Sequence, residues 1–135
     1  MSDWNTEIIE EFRANNGVVG GHFEGRPLLL LHHQGARTGT RRVSPLMYQK
    51  VGSDFAVFAS KGGADTNPSW FHNLRANPDT TIEVGGETIA VRAQEVEGDE
   101  RALIWERQKR DYPQFGDYEE KSARDRIPVL VLRPV

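Results

Sequence analysis

The chain has 135 residues, no cysteine and a formal net charge of −3, enough length for one domain with its own core. The lack of cysteine excludes disulfides, thiol catalysis and thiolate metal sites together, and the acidic balance argues against general affinity for nucleic acid. The N-terminus is acidic rather than apolar, unlike a signal peptide, and the run from Pro27 to Leu31 is far too short to span a membrane, so a cytoplasmic protein is expected.

From Asp3 to Arg13 the residues Trp4, Ile8, Ile9 and Phe12 recur at helical spacing, with Glu7, Glu10 and Glu11 opposite. This predicts an amphipathic helix that stops at Asn15-Asn16-Gly17 and covers an open side of a sheet. Its acidic polar face argues against contact with a membrane surface, a role that favours Lys and Arg. Gly17 to Gly25 is a glycine-rich loop without G-x-G-x-x-G spacing. Residues 1–26 are thus an N-terminal helix and loop within a single domain, 1–135.

Pro27 to His33 is predicted as a strand whose leucines are buried on both faces. Gly35 to Thr40 turns into a second strand, Arg42 to Tyr48, with Arg42, Ser44, Leu46 and Tyr48 on one face and Val43, Pro45 and Met47 on the other. Pro45 cannot donate to a ladder and marks an edge or a bulge, a place that leaves backbone groups free for a ligand. Val51 to Asp54 turns into a third strand, Phe55 to Ser60. Asn67 reads as an N-cap with Pro68 at the first helical position of a helix to about Ala76. Thr80 to Val84 and Glu87 to Gln94 form a hairpin across Gly85-Gly86. Asp99 is expected to cap a helix running to Asp111. Tyr112 to Tyr118 reads as irregular, Glu119 to Arg124 as a short helical piece, and Ile127 to Arg133 as the last strand. The fold class is α+β, mainly β: six antiparallel strands in a small barrel with helices packed outside.

Residues 36–62 hold Arg37, Arg41, Arg42, Lys50 and Lys61 against Asp54 alone. An acidic chain that gathers cations into one segment points them at an anion. Each one alone fits the solvation of a loop or strand end. Beside Gly35, Gly39, Gly62 and Gly63 they point together to a phosphate or polycarboxylate, with Ser60, Lys61 and the Asn67 helix start placed to face one anion. P-loop spacing is absent. His32 and His33 sit adjacent on a strand and face opposite ways, and His22 and His72 lack partners at ligand spacing, so no metal site is expected. The serines lack the nucleophile-elbow context. Trp70, Phe71 and Leu74 have core spacing, and Trp70, one turn into its helix, is also placed to wall a ring-shaped ligand. Tyr112, Phe115 and Tyr118 recur every three residues. In a helix that spacing means packing; in a loop beside Pro113 and Gly116 it lines a pocket, with hydroxyls available as donors.

Several of these stretches, in this order, resemble the deazaflavin-dependent nitroreductase family: Gly35-Ala-Arg-Thr-Gly, Arg42-Val-Ser-Pro-Leu-Met-Tyr, Ala59-Ser-Lys-Gly-Gly, Asn67-Pro-Ser-Trp-Phe-His-Asn-Leu and Ala76-Asn-Pro. The likeness runs from about Pro27 to the C-terminus. It implies a split β-barrel and coenzyme F420. On this resemblance Arg37, Arg42 and Lys61 match positions that hold the phosphate and acidic oligoglutamyl tail, with Thr38 and Asn67 beside them. Pro45, Leu46 and Met47 match the strand along the deazaflavin ring, and Ser60, Gly62, Gly63, Trp70 and Asn73 match further coenzyme positions. Tyr112, Phe115 and Tyr118 match a substrate triplet that is all tyrosine in the family's nitroreductase. Phe115 departs from that triplet, and Ala36 stands where a basic residue occurs; both bear on nitroimidazole reduction. The implied reaction is hydride transfer from C5 of the reduced deazaflavin to a quinone, activated alkene or nitroaromatic, with Ser60 or Tyr112 polarising or protonating the acceptor. The alternatives are an FMN-binding reductase on the same barrel and a coenzyme or lipid carrier without catalysis.

Overall fold

The structure, a computed structural model, describes residues 3–20, 27–124 and 126–135. His22 and its neighbours at 21–26 lie outside the described residues, as does the side chain of Trp4.

Helix α1 (Asp3–Ala14) comes first. Strand β1 (Leu28–Gln34) then carries its leucines to two different cores. Leu29 and Leu31 point into the barrel, while Leu28 and Leu30 meet Ile8 and Phe12 of α1. Burial of each such side chain stabilises by roughly 1.5–3 kcal/mol, which is why β1 reads as an unbroken apolar run. The other strands are β2 (Arg41–Met47), β3 (Gln49–Val51), β4 (Asp54–Phe58), β5 (Asp79–Val84), β6 (Glu87–Val96) and β7 (Val129–Pro134). All pairings are antiparallel, in the order β2-β1-β5-β6-β7-β4-β3.

The two ends of that order are neighbours in the chain, separated only by Tyr48. One bent stretch therefore pairs with β1 through its first half and with β4 through its second, and the sheet curls round until its edges join. Among the described residues there are seven strands, against about six expected. Gln49–Val51 has no alternation of its own to announce a strand, and the turn occupies Gly52-Ser53. Gln49 is buried and donates from Nε2 to the Ile104 carbonyl (3.1 Å) and to Gln108 Oε1 (3.2 Å).

Inside the barrel Leu29, Leu31, Val57, Ile82, Val91 and Leu132 pack together. Helix α2 (Ser69–Ala76) adds Trp70, Phe71 and Leu74 to this cluster. Helices α3 (Gly98–Asp111) and α4 (Gln114–Lys121) pack Ile104, Trp105 and Phe115 against Phe58, Val129 and Val131 on the other face of β4 and β7. Among the described residues no helix is long and apolar enough to cross a membrane.

Three local expectations are corrected. Pro68, not Asn67, occupies the cap position of α2, in extended backbone and with no side-chain cap bond. Glu97 precedes α3, so Asp99 lies inside the first turn rather than capping it. The Tyr112–Tyr118 stretch is not irregular: α4 begins at Gln114 and ends at Lys121. Phe115 and Tyr118 are therefore helical while Tyr112 stands just before α4, and Pro113 starts a helix as well as stopping one.

Candidate active site

The β1–β2 hairpin ends in a tight turn. The Gly35 N–H donates to the Thr40 carbonyl (2.8 Å) and the Gly39 N–H to the Gly35 carbonyl (2.9 Å), with Gly39 at φ 73°. Thr38 is committed to this turn, accepting from the Thr40 N–H and donating its hydroxyl to Thr40 Oγ1. The turn lies beside α2, and a cleft of about 400 Å³ between them is lined by Ala36, Arg37, Thr38, Arg42, Ser69, His72 and Asn73. Arg37 and Arg42 are exposed and form no ion pair with the described residues. Arg41 faces a neighbouring cavity of about 350 Å³ that Arg42 also borders.

A buried polar relay joins the cleft to the sheet. Asn73, 7 % exposed, accepts from the Ala36 N–H through Oδ1 (2.9 Å) and donates from Nδ2 to His33 Nδ1 (2.9 Å). His33 Nε2 then carries the proton and donates to Ser44 Oγ (2.9 Å). Burial, followed by repulsion from Arg42 and His32, lowers the His33 pKa to about 4. The neutral ring is the form the relay needs. Asn73, expected at a coenzyme position, pins the Ala36 peptide to α2 with its amide and lines the cleft as well. His32 faces away and meets Glu83, whose pKa is lowered first by its hydrogen bond from Arg13.

A second group lies on the segment between β4 and α2. Ser60 leads into a short 3-10 turn, Lys61–Gly63, in which Lys61 takes the left-handed φ of 48° and Gly63 a φ of 84°. Gly62 belongs to the same turn. A Cβ on Gly63 would lie 3.0 Å from Tyr118 Cα and 3.1 Å from its carbonyl oxygen, so α4 fills that space. Asn67 is engaged too, its Oδ1 accepting from Arg124 (2.7 Å). Among the described residues Lys61 Nζ reaches only Thr66 Oγ1 (3.3 Å), and it is exposed.

The third group is aromatic. Half-buried Tyr112 and Tyr118 pack with Met47 against the cluster of Phe58, Trp105 and Phe115. Phe115 is 5 % exposed and lies edge-on to Phe58 (5.6 Å) and Tyr118 (5.3 Å). Its ring belongs to the core under α4. Trp70, 7 % exposed, packs into the barrel. Pro45, Leu46 and Met47 are half-buried on β2, an edge strand of the sheet order as Pro45 implied. Leu46 turns to the barrel interior and Met47 to the outer clusters.

Residues 4–134 match the F420H(2)-dependent quinone reductase family. The chain belongs to this family. It is 37% identical over 125 residues to an F420H(2)-dependent quinone reductase of Mycobacterium tuberculosis, covering 90% of this chain and 83% of the relative. A solved F420-H2 dependent reductase (FDR-A) is 36% identical with a TM-score of 0.72, covering 84% of this chain and 100% of that one. A second solved chain, described as a domain-swapped dimer, is 34% identical with a TM-score of 0.74, covering 97% of this chain and 98% of that one. The resemblance to deazaflavin-dependent nitroreductases, the split-barrel fold and the assignment to a class of F420-dependent reductases are thereby borne out.

For this F420H(2)-dependent quinone reductase family member, the cleft unites Arg37, Thr38, Arg42 and Asn73 of the expected residues. Ser60, Lys61, Pro45, Leu46, Met47 and the tyrosines lie outside that lining. Ser69 and His72 were missed, although their i, i+3 spacing on the face of α2 opposite Trp70 was a readable signal. His33 and Arg124 were missed for want of any local signal, because what each holds lies far away in sequence.

Proposed function

We propose that this protein reduces a small electron-poor acceptor, a quinone foremost, using F420H2 held from the Arg37–Arg42 cleft along β2 toward Tyr112. The observation that carries this is the pair of exposed arginines, without carboxylate partners among the described residues, lining a cleft of about 400 Å³ in a member of this family. Two unneutralised guanidiniums fit a polyanion, each forming charge-assisted bonds to phosphate or carboxylate. FMN has one phosphate and no acidic tail, so it would use this cation set less fully. The deazaflavin, when bound, supplies a hydride at C5. Arg37, Arg42 and Lys61 bind the anionic portion, while Pro45, Leu46 and Met47 offer half-buried apolar surface for a ring. Ser60, Gly62 and Gly63 contribute from the 3-10 turn. Trp70 and Asn73 act from behind, one by filling the barrel and the other by holding the Ala36 peptide.

Proton delivery falls to Tyr112. Its backbone is fixed at the junction of two helices, the N–H donating to the Gln108 carbonyl (2.8 Å) and its own carbonyl accepting from the Phe115 N–H (3.0 Å). Ser60 is the second donor, and Tyr118 shapes the acceptor pocket beside it. A cytoplasmic location belongs to the same proposal.

The test is a titration of F420 and FMN side by side, followed by single-turnover oxidation of the bound reduced deazaflavin by a water-soluble quinone. F420 should bind more tightly than FMN and turn over. Preference for FMN sinks the coenzyme assignment, and F420 binding with no turnover on any acceptor leaves a carrier. Tyr112→Phe should slow the single turnover by roughly 10²–10⁴-fold at unchanged coenzyme affinity. An unchanged rate transfers the proton to Ser60 or solvent.

A further inference from the structure

Arg124 lies in the link between α4 and β7, far in sequence from the segment that carries Ser60 and Lys61, yet its guanidinium is wrapped by that segment. Nη1 donates to the Ala59 carbonyl (2.8 Å) and to Asn67 Oδ1 (2.7 Å), Nη2 donates to the Ser60 carbonyl (2.8 Å), and Nε donates to Ser122 Oγ (2.8 Å). Four of its five N–H hydrogens are thus used. The bonds grip both ends of the Ser60–Asn67 segment. Around them, Ser122 Oγ donates to the Ala64 carbonyl (2.7 Å), and the Ala123 N–H donates to Asp65 Oδ1 (2.8 Å).

The segment needs such a hold. Lys61 has a left-handed backbone, costly for a residue with a side chain, and such a conformation persists only where its surroundings over-determine it. The Ser60 carbonyl points at Arg124 and also accepts from the Gly63 N–H (2.9 Å). The Ser60–Lys61 peptide is trans, so its N–H, borne by Lys61, is turned away from Arg124. That N–H has no acceptor among the described residues. Fixing one carbonyl therefore fixes which way Lys61 presents its backbone and launches its side chain.

We propose that Arg124 is a positioning residue: by clasping the Ala59 and Ser60 carbonyls and Asn67 it sets the strained turn that presents Lys61 to the anionic coenzyme. The coenzyme half of this statement rests on the function proposed above; the clasp itself does not. Lysine cannot replace arginine here, because one ammonium with three N–H donors cannot serve the Ala59 and Ser60 carbonyls, Asn67 Oδ1 and Ser122 Oγ together.

The experiment uses the full chain with Arg124→Gln, Arg124→Lys, Lys61→Ala and the Arg124→Gln/Lys61→Ala double variant. Hydrogen exchange of the coenzyme-free protein should show the 60–67 peptide exchanging roughly tenfold faster in both Arg124 variants, with β1 and β7 peptides unchanged. In F420 titrations Lys61→Ala should raise Kd roughly tenfold in the wild-type background and less than about twofold beside Arg124→Gln. Arg37→Ala, on a different turn, should keep its whole effect in both backgrounds. Unchanged 60–67 exchange overturns the proposal, and so do additive effects of Arg124→Gln and Lys61→Ala. Should Arg124→Gln not fold, Arg124→Lys gives both readouts with the charge retained. Should wild type not bind F420 at all, the proposed function falls and the exchange data alone decide whether Arg124 sets this turn.

Discussion

The His33–Asn73 relay makes a pH prediction whose size follows from the structure. His33 is buried, its Nδ1 accepts from Asn73 and its Nε2 faces Ser44, and its pKa is lowered from 6.5 to about 4. Between those values the unfolded chain binds a proton at this residue that the folded chain does not. Stability from this group is therefore complete above pH 6.5, falls as pH drops toward 4, and changes no further below that. The loss comes to about 2 kcal/mol between pH 7 and pH 5 and about 3 kcal/mol by pH 4. Urea unfolding of wild type and His33→Gln at pH 7 and pH 5 isolates it, because the other groups titrate in both proteins. Wild type should lose about 2 kcal/mol more than the variant over that interval, whatever the variant's own stability. A ring titration of His33 by NMR with a midpoint near 6.5, or identical losses in the two proteins, would refute the buried neutral relay.

Arg37→Ala and Arg42→Ala should each weaken F420 binding by about 1–3 kcal/mol, less at high salt, since both groups are exposed; wild-type affinity in both variants removes the anion cleft. Gly63→Ala combines a φ of 84° with a Cβ 3.0 Å from Tyr118 Cα, and urea unfolding should show a loss of about 2–4 kcal/mol, whereas a neutral result would mean that α4 shifts freely. Asn73→Leu strands His33 Nδ1 in the core, while water can still reach the Ala36 N–H of the exposed turn. A destabilisation of about 1–3 kcal/mol is expected in the same assay, together with weaker F420 binding from a loosened turn.

Much of the fold was legible because most elements carry their own periodicity. The leucines of β1, the alternating faces of β2, the Gly85-Gly86 hairpin and the amphipathic α1 each show in a short window. Strand β3 did not, because three residues leave no room for alternation and its pairing with β4 depends on the bend at Tyr48. Helix α4 was misread because Pro113 stood between two helices. Proline ends the first and is equally at home opening the second, so the local rule had no means of choosing.

The site divides along the same physical line. Arg37 and Arg42 could be found because exposed cations massed in an acidic chain are a property of the sequence itself. What holds them in place could not. The Ala36 peptide is pinned by Asn73, which is oriented by His33, which is kept neutral by burial and by the charge of Arg42 itself. The Lys61 turn is clasped by Arg124 across 64 positions from the Ser60 carbonyl it holds. Both arrangements use a buried or half-buried polar group to hold the backbone that carries a cation. That division has a physical reason: a cation meant for a ligand must stay unpaired and solvated until the ligand arrives, so it cannot supply the contacts that fix its own backbone. Neutral and carbonyl-directed hydrogen bonds can do so without cancelling its charge. A carboxylate in the place of Asn73 would also accept from the Ala36 N–H, but it could not donate to His33 Nδ1, and its charge would stand in the cleft that Arg37 and Arg42 line.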